Sequence, residues 1–120
     1  MVVIKKRSNV IPVDFGEFQL NFPMSDSNIK RMEEVGKELE ARSLAIQGTD
    51  NKAAIDAATE FVKEGFTQIF DDEEAFNLVY AFSGESTNIA MFYLIETITG
   101  IRSEFENQNS KAAFEKYLAE

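Results

Sequence analysis

Residues 11–22, IPVDFGEFQLNF, constrain this chain more than any other segment, because they read as a two-stranded hairpin turning at Gly16 and Glu17. With a two-residue loop, Phe15 falls opposite Phe18, Val13 opposite Leu20 and Ile11 opposite Phe22. Side chains alternate along a strand, so all six of these apolar residues share one face. The opposite face carries Asp14, Gln19 and Asn21. A glycine at the first central position suits a type II′ turn, whose twist matches that of the flanking strands, and Pro12 is tolerated because a hairpin strand can be an edge. A lone hairpin is marginal in water. The greasy face therefore needs cover, either from helices further along or from a neighbouring copy of the chain.

At 120 residues the chain is expected to form a single domain, residues 1–120, which buries somewhat under ~70% of the surface exposed by the unfolded chain. Eleven Phe and three Tyr supply core material in the absence of Trp. With no cysteine, disulfides, thiolate nucleophiles and thiolate metal sites are excluded. Residues 1–4 are apolar, but Lys5-Lys6-Arg7 follows them rather than precedes them, the reverse of a secretory signal, so no export is expected. The longest apolar run, residues 89–95, has seven residues, against the ~20 a membrane span needs, so no membrane partner is expected. A net charge of −9 with scattered basic residues argues against binding a nucleic-acid backbone, which requires clustered Lys and Arg. Lys5-Lys6-Arg7 is the exception, readable as a solvated terminal arm or as a contact for an acidic partner. Residues 1–10 are thus a flexible arm or, through Val2 and Ile4, a third strand.

After the hairpin the apolar period changes from two to 3.6. Residues 26–120 are expected to be helical, starting at the capping cluster Ser25-Asp26-Ser27-Asn28. Helix one, to about Ala45, carries the stripe Ile29, Met32, Val35, Gly36, Leu39 and Ile46. Gln47-Gly48-Thr49-Asp50 ends it, with Thr49 or Asp50 capping helix two, about residues 51–70. That helix has the stripe Ala54, Ile55, Ala58, Phe61, Val62, Gly65, Phe66 and Ile69. Gly36 and Gly65 lie inside these stripes at a cost of about 1 kcal/mol relative to Ala, which points to close helix approach. Asp71-Asp72-Glu73-Glu74 opens a third helix through about Phe82. The run lacks the ligand spacing and central Gly of a calcium loop, and Asp71 as N-cap with Glu74 three residues on accounts for it. Helix four follows the cap Ser86-Thr87-Asn88 over about residues 89–106. Apolar residues surround most of its first half, so it is either a central core helix or one with a core face and an interface face. A last helix spans residues 111–118. The expected fold is mainly α, an N-terminal β-hairpin packed on a bundle of about four to five helices.

The chemistry available is narrow. With no His and no Cys the common catalytic triads cannot be built, and none of the six Gly falls in a phosphate-binding pattern. The 21 acids offer many chance carboxylate pairs, but they lie mainly on solvent faces of helices. A non-enzymatic binding or assembly protein is expected, with no catalytic, cofactor-binding or metal residues and no cofactor.

The stretch 11–31, IPVDFGEFQLNFPMSDSNIKR, in which the hairpin leads through a Ser/Asp/Asn cap into a charged helix, resembles the start of tail assembly chaperones of long-tailed, siphovirus-type phages and prophages of Gram-positive bacteria. The segment 66–82, FTQIFDDEEAFNLVYAF, and the small, acidic, cysteine-free composition agree in outline. The resemblance implies a protein of the host cytoplasm, absent from the mature virion. It would bind the tape measure protein, keep it soluble, assist tail tube polymerisation with possible contact to the tail tube protein, and self-associate.

A tape measure is a long amphipathic helical protein, and a helix with two apolar faces, or a hairpin edge, can hold such a segment by groove packing or strand addition. The candidate partner or self-association residues are Met91, Tyr93 and Leu94 on helix four, and Phe114 and Tyr117 on the last helix. Burial in the monomer is the competing reading for each. Two other functions fit the residues. One is an acidic inhibitor that mimics nucleic acid, weakened because acids alternate with Lys and Arg on helix one. The other is a helical adaptor or regulator unrelated to tail assembly.

Overall fold

The computed structural model describes residues 1–46 and 52–119, and their side chains except those of 43–46 and 117. The predicted break at residues 47–50, with its Thr49 or Asp50 cap, lies outside the described residues. Strand β1 (Val10–Asp14) pairs antiparallel with β2 (Gln19–Pro23), with Ile11 opposite Phe22 and Val13 opposite Leu20. At the loop the Phe15 N–H donates to the Phe18 carbonyl at 2.9 Å and the two rings stack at 4.7 Å. Gly16 has φ +89° while Glu17 stays at negative φ, the signature of a type II′ turn. The Asp14 carboxylate accepts from the Gly16 N–H at 2.7 Å and tightens it. Ile11, Leu20 and Phe22 are buried, and Val13, Phe15 and Phe18 are half-buried against the core, so the predicted face is the one that is covered. Residues 1–9 form no strand. They are an exposed arm, tied at its base by the Asn9 carbonyl, which accepts from the Met24 N–H.

Among the described residues five helices follow: α1 (Asp26–Ile46), α2 (Lys52–Phe70), α3 (Glu74–Phe82), α4 (Thr87–Gln108) and α5 (Lys111–Leu118). Serine hydroxyls cap three of them by accepting from the third residue on: Ser25 from Asn28 at 3.2 Å, Ser86 from Ile89 at 3.3 Å and Ser110 from Ala113 at 3.2 Å. The capping expected of Asp71 falls to Asp72 instead. Asp71 takes a left-handed conformation, φ +52°, and the Asp72 N–H reaches back to the Thr67 carbonyl, closing α2 with a Schellman motif. Asp71 is thus used up in ending one helix, and the Asp72 carboxylate accepts from the Glu74 N–H at 2.9 Å to start the next.

The core is a single cluster in which the hairpin, α1, α2, α3 and α4 all take part. Met32, Val35 and Leu39 of α1, Phe61, Val62, Phe66 and Ile69 of α2, Phe76 and Val79 of α3, and Leu94, Ile98 and Ile101 of α4 are buried in it. Gly65 lies where three helices converge: a Cβ there would stand 3.1 Å from Leu94 Cδ2 and 3.4 Å from Val35 Cγ1. Gly36 serves a different approach, making room for Arg102, whose Nη2 would be 2.6 Å from an added Cβ. The Arg102 guanidinium grips both carboxylate oxygens of Glu33 at 2.9 and 3.0 Å, clamping α4 to α1. Ile55 departs from the predicted stripe and is exposed. It lies one turn before Thr59, whose hydroxyl meets that of Thr87 at 2.7 Å, and shares an open cleft with Ser86, Thr87 and Asn88 at the start of α4.

Candidate partner-binding surfaces

Helix α4 presents two apolar faces. Ala90, Leu94, Ile98 and Ile101 point into the core, whereas Ile89, Phe92 and Ile95 are exposed, Phe92 to 64%. At about 100° per residue, Phe92 stands roughly opposite the centre of the buried set. The helix is thus not buried all round: it has one face in the core and a second apolar face that is exposed.

The candidate residues separate accordingly. Leu94 is a correction: it is fully buried, packed against Gly65, and offers nothing to a partner. Met91 and Tyr93 are half-buried at the flanks of the core. The Tyr93 ring lies 5.3 Å from that of Phe82 and edge-on to Phe15 at 6.3 Å. Phe114 on α5 is 58% exposed, with Leu118 also exposed beyond it. The side chain of Tyr117 lies outside those described. Ile89, Phe92 and Ile95 escaped the sequence reading although the signal was present. A core stripe placed on Leu94, Ile98 and Ile101 leaves Phe92 on the far side of the helical wheel, with Ile89 and Ile95 about 60° to either side of it.

A second surface borders the first. Between the outer edge of β1 and α4 run two adjoining clefts of about 360 and 340 Å3, sharing Val13, Asp14, Glu96 and Thr97 in their walls. Phe15, Phe82 and Tyr93 line one end and Ile11, Ile101 and Glu104 the other, so an apolar floor is framed by the carboxylates of Asp14, Glu96 and Glu104. The larger cleft of about 710 Å3 lies beyond, where arm residues Arg7 to Asn9 meet Met24, Phe105 and the α4–α5 joint.

Strand β1 is poorly suited to extension by a further strand. The Phe15 to Phe18 bond sets the ladder, so in antiparallel alternation Val10, Pro12 and Asp14 direct their backbone groups outward. Pro12 has no N–H, and that of Val10 already donates to the Ser8 hydroxyl at 3.3 Å. The cleft is therefore a place for side-chain packing more than for main-chain pairing.

Arg102 is held above the ordinary guanidinium range, first by its hydrogen bonds to Glu33 and then by the charge of that carboxylate, with burial opposing. Among the described residues no three acids converge as a metal site, and no helix is long and apolar enough to cross a membrane. What these surfaces offer is apolar area bordered by carboxylates. No protein-family model, curated protein or solved structure matches the chain.

Proposed function

We propose that this chain is a non-enzymatic tail assembly chaperone of the kind its N-terminal third resembles. It binds the tape measure protein, keeps it soluble in the host cytoplasm and assists assembly of the tail tube around it. The observation that carries the proposal is the outward face of α4. Ile89, Phe92 and Ile95 are exposed at successive three-residue steps, Phe92 opposite the core stripe and the two isoleucines about 60° to either side of it. An amphipathic helical segment of a partner, presenting its own apolar stripe, packs on such a face, and an acidic surround keeps the resulting complex in solution. Met91 and Tyr93 border this face, and Phe114 with Leu118 on α5 provides a second apolar patch for the same long partner.

The test is co-expression with the tape measure protein encoded alongside it, followed by size-exclusion chromatography with light scattering. A soluble complex carrying several copies of this chain per tape measure is the expected result. The Phe92→Glu variant, which removes no core contact, is expected to fold normally and to leave the tape measure insoluble. Aggregation of the tape measure in the presence of the unmodified chain overturns the proposal.

A further inference from the structure

We infer that the cleft between β1 and α4 receives the N-terminal arm of a second copy of this chain. The arm and the cleft are complementary in both of their chemistries. The arm presents Val2, Val3 and Ile4, all well exposed, followed by Lys5 and Lys6. The cleft presents the half-buried apolar side chains Val13, Phe15, Phe82 and Tyr93 and is bordered by Asp14, Glu96 and Glu104. On a protein of net charge −9, the arm is where basic residues cluster, and its cations match a receptor lined with acids.

The dimensions agree. From Tyr93 to Glu104 α4 rises about 17 Å at 1.5 Å per residue. An extended peptide advances about 3.3 Å per residue, so the cleft holds about five residues. Val2 to Lys6 is a segment of that length. Because Pro12 removes a donor from the edge, the occupant is held by its side chains: at a period of two Val2, Ile4 and Lys6 face the cleft, the Lys6 stem running out to the bordering carboxylates, while Lys5 faces outward and adds its charge beside the same rim.

The arm does not serve its own cleft. The chain leaves β1 past the Glu104 end, and Arg7, Ser8 and Asn9 run on beside Phe105, Gln108 and Lys116. The tip is thereby carried away from Glu96 and Phe15. Turning back would require reversal within Ser8 and Asn9 and loss of the bonds from Met24 to Asn9 and from Val10 to Ser8. A donor arm and an acceptor cleft at different places on one surface let each copy give to one neighbour and take from another. This contact uses a different face of α4 from the Phe92 stripe, and it stands whether or not the partner of that stripe is a tape measure.

Sedimentation velocity over a concentration series, at low and high salt, tests the inference. The unmodified chain is expected to exceed its 13.6 kDa monomer mass, and to dissociate on dilution or on adding salt. Lys5→Glu with Lys6→Glu, and separately Glu96→Lys with Glu104→Lys, are each expected to weaken association roughly tenfold or more, since attractions become repulsions. An equimolar mixture of the two double variants is expected to regain the mass, as is the chain carrying all four changes. A synthetic peptide of residues 1–9 is expected to release monomer from the unmodified assembly. The arm buries no core residue, so the arm variant and the peptide remain decisive even if the cleft variant misfolds. A monomeric unmodified chain at every concentration, or undiminished association of the arm variant, overturns the inference.

Discussion

Gly65 gives the sharpest test of how the bundle is held, because both the direction and the size of the effect follow from two distances. A methyl group at this position would meet Leu94 Cδ2 at 3.1 Å and Val35 Cγ1 at 3.4 Å, tight but open to adjustment by a few tenths of an ångström. Gly65→Ala therefore sets a contact penalty against a helix-propensity gain of about 1 kcal/mol, and the two nearly cancel. Gly65→Leu retains most of that gain but drives three further carbons into space already filled by the fully buried Leu94. Overpacking of this kind costs about 1–3 kcal/mol, and a site with no room beyond the first carbon belongs at the upper end. The net loss is about 2 kcal/mol. For 120 residues, an unfolding entropy of about 0.25 kcal/mol per degree converts this to a fall in Tm of about 8 °C.

Thermal unfolding followed by circular dichroism, with Gly65→Ala as the control, measures this directly. A double-mutant cycle adds specificity. Leu94→Ala alone is expected to cost about 2–5 kcal/mol, but less in the Gly65→Leu background, where the new side chain fills the vacated space. A Gly65→Leu melt equal to that of the parent, or strict additivity with Leu94→Ala, would show that α2 and α4 are not pressed together here.

Further expectations follow from single contacts. Glu33 and Arg102 are 43% and 38% exposed, so despite bidentate geometry Glu33→Gln is expected to cost no more than about 1 kcal/mol, a difference that shrinks with added salt in denaturant titrations. The Arg102 pKa is raised, so its contribution is complete below the ordinary guanidinium range and lost only as pH climbs through the higher folded value. The stability gap between the parent and Arg102→Met should accordingly stay flat from about pH 6 to 9. Gly16 is at φ +89° with nothing within 4 Å of an added Cβ, so Gly16→Ala and, more strongly, Gly16→Val are expected to lower Tm through backbone strain alone. Ser86→Ala removes the cap of α4 and is expected to cost about 1 kcal/mol in chemical denaturation.

The hairpin could be read because its information is local. Six apolar residues at a period of two around one glycine admit one register, and that register is present. Helix positions were equally accessible from the 3.6 period and the serine caps. Asp71 misled because a sequence does not say whether an acid between two helices ends the first or begins the second. Both jobs fall within two residues, and the left-handed backbone at Asp71 assigns them. The Glu33 to Arg102 clamp was out of reach for a different reason. Its partners are 69 residues apart, and either charge was explicable as ordinary solvated helix surface. Leu94 stood between partner contact and burial because the first half of α4 is apolar nearly all round, so periodicity alone could not say which residues face inward. Packing against Gly65 settles that point.

The two apolar faces of α4 differ in what they do for the monomer. Removing Leu94 or Ile101 would open a cavity among residues from other helices, whereas Phe92 stands in water and its removal opens none. Single exposed apolar residues are normal on any protein surface. Three at successive three-residue steps on the side of a helix away from its core stripe make a row of the kind that marks interaction sites. Phe92→Glu separates the two possible accounts of that feature. A solvent-facing ring with no structural role predicts a Tm within about 2 °C of the parent, because surface changes away from packing sites fall within about 0.5 kcal/mol. A ring covered by an unrecognised intramolecular contact predicts a loss of several degrees. With stability retained, any loss of partner binding by this variant belongs to the face itself and not to the fold beneath it.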